Sequence, residues 1–230
     1  MKKTTLLSVA LLCGFSTAAS ALTLTVTNGP SSSEAGALTV DFGVSPLNNV
    51  GPVSGSLPSG TLGGVTYSYS GGALFNFDAS SSLPNGTAAR PVGSTGNFWS
   101  IGTSPSAQHG PGIVDLGAGV KYYGFLWGSP DPIGWNSVTF LNGATPLGTL
   151  GGSAVLNPPN GNQTFARYFN VFTDPGEVIT KIQFGANQNA FETDNHAFIG
   201  AVPEPETYAM MLAGLGLLGW IGRRTKHKVA

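Results

Sequence analysis

One stretch decides the fold class of this 230-residue chain: Ser137-Val-Thr-Phe-Leu-Asn-Gly-Ala-Thr-Pro-Leu-Gly-Thr-Leu150. Polar and apolar residues alternate on both sides of its centre, which is the period of a β-strand with one buried face. The central pair Asn142-Gly143 is preferred in type I′ turns, which need a positive φ at both positions and join antiparallel strands. The stretch therefore predicts a β-hairpin and, with it, an antiparallel sheet.

The segment before the hairpin predicts a central strand. Alternate residues of Lys121-Tyr-Tyr-Gly-Phe-Leu-Trp127 face opposite sides of a sheet, and both sides carry apolar or aromatic residues. A strand that is apolar on both faces is covered on both faces. We therefore expect Trp127 to be part of the core, and we expect the same of Trp99, which also lies among apolar neighbours.

Short alternating runs separated by Gly, Pro and Asn fill the rest of the chain up to residue 202. The predicted strands are Leu22–Thr27, Ala37–Phe42, Val65–Ser70, Ala73–Phe77, Asn97–Ile101, Ile113–Leu116, Val120–Trp127, Ser137–Leu141, Thr145–Leu150, Phe165–Phe172, Val178–Phe184 and His196–Val202. Gly43–Gly64 and Asn157–Gln163 are predicted loops. The pattern predicts an all-β protein, an antiparallel β-sandwich.

The N-terminus has the three parts of a secretory signal peptide. Met1-Lys2-Lys3 is basic, Leu6–Phe15 is apolar, and Ala19-Ser20-Ala21 fits an A-x-A cleavage site. We expect residues 1–21 to be removed, so that the mature chain begins at Leu22; an uncleaved anchor is the alternative. The only cysteine, Cys13, leaves with this segment, so the mature chain has no disulfide.

The C-terminus combines a motif, an apolar run and a basic end. Pro203-Glu204-Pro205 precedes residues 208–222, which contain no charge, and Arg223-Arg224 follows directly. As a helix, the apolar run is about 22 Å long, so it spans a core of about 30 Å only if the arginines snorkel or the bilayer thins. The positive-inside rule places the basic end in the cytoplasm and the body outside.

This tail, residues 203–230, resembles the PEP-CTERM sorting signal of Gram-negative bacteria. The resemblance implies that an exosortase, a membrane-embedded transpeptidase-like cysteine protease, removes the tail near Pro203-Glu204-Pro205. It also implies anchoring through a transmembrane helix at 208–222, a stop at Arg223-Arg224, and delivery to the cell surface or the extracellular polysaccharide matrix. A plain C-terminal anchor is the alternative.

The body, residues 22–202, also resembles a recurrent group of exosortase-dependent surface proteins. Three stretches carry this resemblance: Tyr123–Asp131, Trp135–Gly143 and Phe191–Phe198. The resemblance implies a jelly-roll-like β-sandwich and brings no activity or catalytic residue.

The charge of the body argues against nucleic acid as a partner. It has four basic residues and nine acidic ones, a formal net charge of −5. Binding to phosphate backbones needs clustered cations.

The body contains no G-x-S-x-G, H-E-x-x-H or Walker A motif. A glycosidase needs two carboxylates about 5 to 9.5 Å apart, and the sequence does not place any pair at that distance. The available acids are Asp115, Asp131, Glu177, Glu192 and Asp194. We expect a protein that is not an enzyme, with a secreted polysaccharide-active enzyme as the alternative.

Two binding hypotheses remain. Pro132-Ile-Gly-Trp-Asn136 is a predicted loop, so Trp135 is the best candidate for an exposed aromatic platform that contacts carbohydrate. Asp41, Glu192 and Asp194 would supply oxygen ligands to Ca²⁺ if the terminal strands pair, while a solvated turn is the alternative. We expect an exported, exosortase-processed protein with a structural or carbohydrate-interacting role and no required cofactor.

Overall fold

The computed structural model of the protein describes residues 22–47, 51–77, 88–102, 111–188, 190–201, 211–216 and 218. Up to residue 201 these residues form twelve strands and one short 3₁₀ helix, Gly152–Ala154. The strands are β1 (Leu22–Thr27), β2 (Leu38–Thr39), β3 (Ser59–Leu62), β4 (Val65–Ser70), β5 (Ala73–Phe75), β6 (Phe98–Ile101), β7 (Gly112–Gly128), β8 (Asn136–Asn142), β9 (Thr145–Gly151), β10 (Ala166–Thr173), β11 (Ile179–Ala186) and β12 (Phe191–Gly200).

Antiparallel hydrogen bonding connects all twelve strands, in the main order β5-β6-β12-β7-β11-β8-β9. The seventeen-residue strand β7 is the hub of this sheet. Its first part pairs with β4 and β11, and its second part pairs with β10 and β12. Gly117 and Gly119, both with positive φ, lie where the partners change. The all-β, antiparallel part of the fold prediction is confirmed.

The sheet folds over on itself at this point. Phe184 of β11 is paired with Gly112 of β7, and Phe125 lies thirteen positions farther along β7. A flat strand would separate such positions by about 43 Å at about 3.3 Å per residue. The rings of Phe125 and Phe184 are instead 5.1 Å apart. The two parts of the sheet therefore face each other across a shared core.

Aromatic residues dominate that core. Trp99 and Trp127 are both 0% exposed, which confirms the burial predicted for them. Trp127 stacks on Phe191 at 4.5 Å. A smaller apolar cluster lies apart from the main core and consists of Phe75, Phe77, Ala88, Phe98 and Ala190.

The β8–β9 hairpin is confirmed, but the predicted turn is wrong by one residue. Asn142 pairs with Thr145, so the two-residue loop is Gly143-Ala144. Gly143 has φ +59°, while Asn142 is not among the residues with positive φ. Glycine at the first central position is the pattern of a type II′ turn. Farther from the turn, the register of the hairpin shifts between Phe140 and Leu141.

Three strand predictions also need correction. Ile113–Leu116 and Val120–Trp127 are parts of the single strand β7, because the glycines between them bend the strand without ending it. The predicted loop Gly43–Gly64 contains β3, which pairs with β4. The last strand begins at Phe191 and ends at Gly200, and so differs from the predicted His196–Val202.

Several predictions concern residues outside the described ranges: the signal peptide, the motif Pro203-Glu204-Pro205 and the pair Arg223-Arg224. Within the predicted helix 208–222, residues 211–216 and 218 are helical. In the described part of the chain, no helix has the length and apolar character that crossing a membrane requires.

Candidate functional site

Strand β12 carries an unusual run of buried polar residues. Glu192, Thr193, Asp194 and His196 are each at most 3% exposed. Asn195 between them has φ +50°, and the register with β7 shifts between Asp194 and Ala197. Such a bulge changes the face of the sheet toward which the following side chains point. Thr193 and His196 therefore both face the core, whereas Glu192 and Asp194 face the segment 88–97.

On the core side, His196 is fully hydrogen-bonded. The hydroxyl groups of Tyr123 and Tyr69 lie 2.6 and 3.0 Å from Nδ1, and Nε2 lies 2.8 Å from Thr193 Oγ1. A neutral ring with hydrogen on Nε2 fits these partners, because Nδ1 then accepts from tyrosine and Nε2 donates to threonine. Burial lowers the pKa of His196 to about 3. His196 is thus an uncharged member of the core.

On the opposite side, the Glu192 carboxyl group ties β12 to two loops. Its Oε1 accepts from the Ala89 N–H at 2.9 Å, and its Oε2 lies 2.6 Å from the Ser129 hydroxyl, which donates to the ionised form. Burial raises the pKa of Glu192 to about 8. In the protonated form, Oε2 carries the hydrogen and donates it to Ser129 across the same distance.

Asp194, two residues farther along β12, is also held by hydrogen bonds. Its Oδ1 accepts from the Asn195 N–H at 2.7 Å, and its Oδ2 accepts from the Ser94 hydroxyl. Burial raises the pKa of Asp194 to about 6, while these hydrogen bonds and the charge of Arg90 act in the opposite direction. The Arg90 guanidinium is positioned by Phe77 O at 2.8 Å and Asn76 Oδ1 at 2.6 Å.

A pocket of about 220 Å³ opens beside Asp194. Its wall consists of the chain around β2, two residues of the 88–97 segment and the bulge of β12. The lining residues are Thr39, Val40, Asp41, Phe42, Gly43, Thr95, Asn97, Asp194 and Asn195. Asp41 is exposed at the rim, and its Oδ1 accepts from the Gly43 N–H at 2.6 Å. The pocket thus brings two of the predicted site residues together, Asp41 and Asp194.

Glu192 is not part of this pocket, so the pocket does not bring the three carboxylates of the Ca²⁺ hypothesis together. Ca²⁺ binding stays a prediction. Its oxygens face Ala89 and Ser129, and its neighbouring acid is Asp131. Among the residues that the structure describes, no group of three or more His, Cys, Asp or Glu is arranged to hold a metal ion. The segment 88–97 offers a separate partner to each acid, Ala89 to Glu192 and Ser94 to Asp194.

Trp135 lies elsewhere, in the turn between β7 and β8. It is 46% exposed, as its sequence context predicts. The turn is held from both sides, since the Trp135 N–H donates to Pro132 O and the Trp135 carbonyl accepts from the Asn187 N–H, both at 2.8 Å. Its neighbour Ile133 is 58% exposed. Contact between Trp135 and carbohydrate stays a prediction.

The other candidate acids have different surroundings. Asp115 is exposed and lies 3.9 Å from Lys181 Nζ. Asp131 is buried, which raises its pKa, and accepts from Asn136 Nδ2 at 3.1 Å. Glu177 donates its backbone N–H to Asp174 O in the turn before β11. Asp115 thus takes part in a surface ion pair, and Glu177 takes part in a turn.

Sequence reasoning missed the segment 88–97, which supplies the partners of both buried acids. One signal was available: Arg90 is one of only four basic residues in the body, and an arginine beside apolar residues needs polar partners.

Comparison with known proteins gives one match. Residues 201–226 match the family model of the PEP-CTERM protein-sorting motif, as the resemblance implied. The chain therefore carries a PEP-CTERM sorting signal, which marks an exported protein that exosortase processes and sorts to the cell surface. No curated protein and no solved structure matches the chain.

Proposed function

We propose that the exported body, residues 22–202, is a jelly-roll-like β-sandwich with a structural or carbohydrate-interacting role in the extracellular matrix. The observation that carries the carbohydrate part is the exposed indole of Trp135 on a turn that is fixed by backbone hydrogen bonds. The sorting motif supports a location where extracellular polysaccharide is available.

The surroundings of Trp135 suit a stacking platform. An indole has a large apolar face, and its exposure costs free energy that contact with the apolar face of a sugar ring recovers. Exposed Ile133 next to it enlarges the apolar surface. Because the turn is already ordered, binding there loses little conformational entropy.

Retention on extracellular polysaccharide tests the proposal. We expect Trp135→Ala to be retained less than the parent, Trp135→Phe to keep part of the retention, and all three to melt at the same temperature. Ile133→Ala is the control for loss of apolar area without loss of an aromatic ring. A stable Trp135→Ala protein with undiminished retention would remove the residue-level support for carbohydrate binding.

The pocket supports a second candidate function, a polysaccharide-active enzyme. It contains two carboxyl groups, Asp41 and Asp194, and the pKa of Asp194 is raised to about 6. Glycosidases use one proton-donating and one ionised carboxyl group, and a raised pKa suits the proton-donating one. A hydrolysis screen decides: turnover that Asp194→Asn abolishes establishes the enzyme, and retention without turnover favours the binding role.

We also propose that residues 1–21 are removed and that residues 208–222 anchor the chain in the membrane until exosortase removes the tail. The order of motif, apolar run and arginine pair supports this. Mass spectrometry of surface material should find Leu22 at the N-terminus and no peptide beyond Tyr208. Recovery of intact Trp220–Arg223 peptides would contradict tail removal.

A further inference from the structure

The pocket beside the β12 bulge has the size, lining and rigidity of a site for one small polar ring. We propose that it binds a polyhydroxylated ring, a single monosaccharide unit, at a position distinct from Trp135. The proposal rests on the carbohydrate-interacting role proposed above and adds a second point of contact to it.

The dimensions of the pocket limit the size of its ligand. Sites for drug-sized ligands have volumes of about 300–1,000 Å³, and this pocket has about 220 Å³. Thr39, Asp41 and Thr95 are exposed at its rim, while Val40, Phe42 and Asp194 are buried at its base. This volume suits a single sugar ring, and the exposed rim leaves an opening to solvent through which a polysaccharide chain would continue.

The lining favours a ligand that donates hydrogen bonds. Among the described residues, Asp41 Oδ2 has no hydrogen-bond partner, because only Oδ1 accepts from Gly43. The amide nitrogen of Asn195 donates to Pro30 O at 2.7 Å, which fixes the side chain and leaves its oxygen as an acceptor. Adjacent sugar hydroxyls donate to carboxylate and amide oxygens, and hydrogen bonds to a carboxylate are the stronger kind. An anionic ligand is disfavoured by the two carboxylates.

The apolar part of the lining completes the match. Phe42 and Val40 form the base, and Phe42 packs on the rings of Tyr69 and His196 at 5.4 and 5.2 Å. A sugar ring presents C–H groups between its hydroxyls, so a base of this kind complements it. The same combination of apolar lining and a few placed polar groups is general for small-molecule sites.

The pocket is built before any ligand enters. Asn97 Nδ2 donates to Phe42 O at 2.8 Å, and Asn97 Oδ1 accepts from Ser45 at 2.9 Å. The Val40 N–H donates to His196 O at 2.8 Å, which ties the chain around β2 to β12. Because these contacts already fix the walls, little ordering free energy opposes binding.

The test uses the full chain in detergent and a panel of neutral monosaccharides, followed by NMR. We expect at least one sugar to shift the amide signals of Gly43, Thr95 and Asn195. Asp41→Asn keeps the acceptor for Gly43 but removes the charge. We expect this variant to bind that sugar about tenfold more weakly than the parent does. Thr95→Tyr fills the pocket from its exposed rim and should abolish the shifts.

Asp115→Asn is the matched control. Asp115 is exposed and accepts from the N–H of the second following residue, Gly117, just as Asp41 accepts from Gly43. It lies outside the pocket, so we expect parental affinity. Equal affinity of parent, Asp41→Asn and Thr95→Tyr would overturn the proposal, as would shifts produced by Ca²⁺ and by no sugar.

Two readouts separate this proposal from the proposed function. Retention on polysaccharide that Trp135→Ala reduces, with no effect of the two pocket variants, leaves the carbohydrate role standing and overturns the pocket site. Absence of both retention and monosaccharide binding overturns both.

Discussion

Glu192 makes the stability of the protein depend on pH. Burial raises its folded-state pKa to about 8, whereas a carboxyl group in the unfolded chain titrates near about 4.3. Between these two values the folded state binds more protons than the unfolded state, so the free energy of unfolding falls as pH rises. His196 acts with the opposite sign, because its folded pKa is lowered to about 3. Its effect ends above the unfolded value of about 6.5.

The first prediction follows for the range between about pH 6.5 and 8, where Glu192 titrates and His196 no longer does. We expect the free energy of unfolding of the parent to decrease with pH there, by up to about 1.4 kcal/mol per pH unit, and the melting temperature to fall with it. Glu192→Gln keeps an acceptor for Ala89 and a donor for Ser129, so its profile should be flatter. Thermal melts of both proteins across this range check the prediction; parallel profiles would contradict it.

Trp127 and Trp135 give a second prediction at this scale. Trp127 is 0% exposed and stacks on Phe191, so Trp127→Ala leaves a cavity in the core and should cost about 3–5 kcal/mol. Trp135→Ala removes a half-exposed side chain and should cost little. Denaturant unfolding of the two variants measures the difference, and similar losses would show that the two environments have been misassigned.

The burial of Trp127 and the exposure of Trp135 could be predicted from their neighbours, but the environment of the buried acids could not. Trp127 lies in a strand that is apolar on both faces, a pattern that the sequence displays directly. The sequence Glu192-Thr-Asp-Asn195 has the composition of a turn. Its burial depends on Ala89, Ser94 and Ser129, which lie 63 or more positions away along the chain. The pattern of neighbouring residues in the sequence does not indicate contacts with residues so far away along the chain.

At the scale of elements, the β8–β9 hairpin depends on the backbone of Gly143. A Cβ at this position would contact no heavy atom within 4 Å, but φ is +59°. The third prediction is that Gly143→Val costs more than about 1 kcal/mol through backbone strain alone. Gly134→Val is the control, since that position is equally open and its φ is not positive. Chemical denaturation checks both; equal stability of the two variants would contradict the assignment of strain.

The strands show where sequence patterns are sufficient and where they fail. The alternation in Ser137–Leu141 and Thr145–Leu150 gives both strands of the hairpin, because each has one buried and one open face. The glycines at 117 and 119 indicate a break between two strands, yet β7 continues through them and connects the two parts of the sheet. Glycine permits a bend as readily as an end. Which of these occurs depends on the pairing with β10, β11 and β12.

At the scale of the whole molecule, the last strand of the body is a central one. β12 pairs with β7 on one side and with β6 and β2 on the other. It also supplies Phe191, His196 and Phe198 to the core. The match to the sorting motif begins at residue 201, directly after β12 ends at Gly200. The body therefore lacks its centre until the chain next to the sorting signal has been exported.

This arrangement gives the fourth prediction, which concerns truncation. A chain of residues 22–202 keeps β12 and should unfold in one cooperative transition. A chain of residues 22–190 loses only a short further segment but exposes the edges of β6 and β7 and leaves the Tyr69 and Tyr123 hydroxyls without His196. The two hydroxyls still lie 3.3 Å apart, so one can donate to the other while the second loses its acceptor. A buried hydroxyl that loses a partner costs about 1–3 kcal/mol, and the apolar losses add to this. We expect no cooperative melting for residues 22–190 by circular dichroism or calorimetry. A cooperative transition in that chain would show that β12 is dispensable. It would also contradict the argument that folding waits for the end of the body.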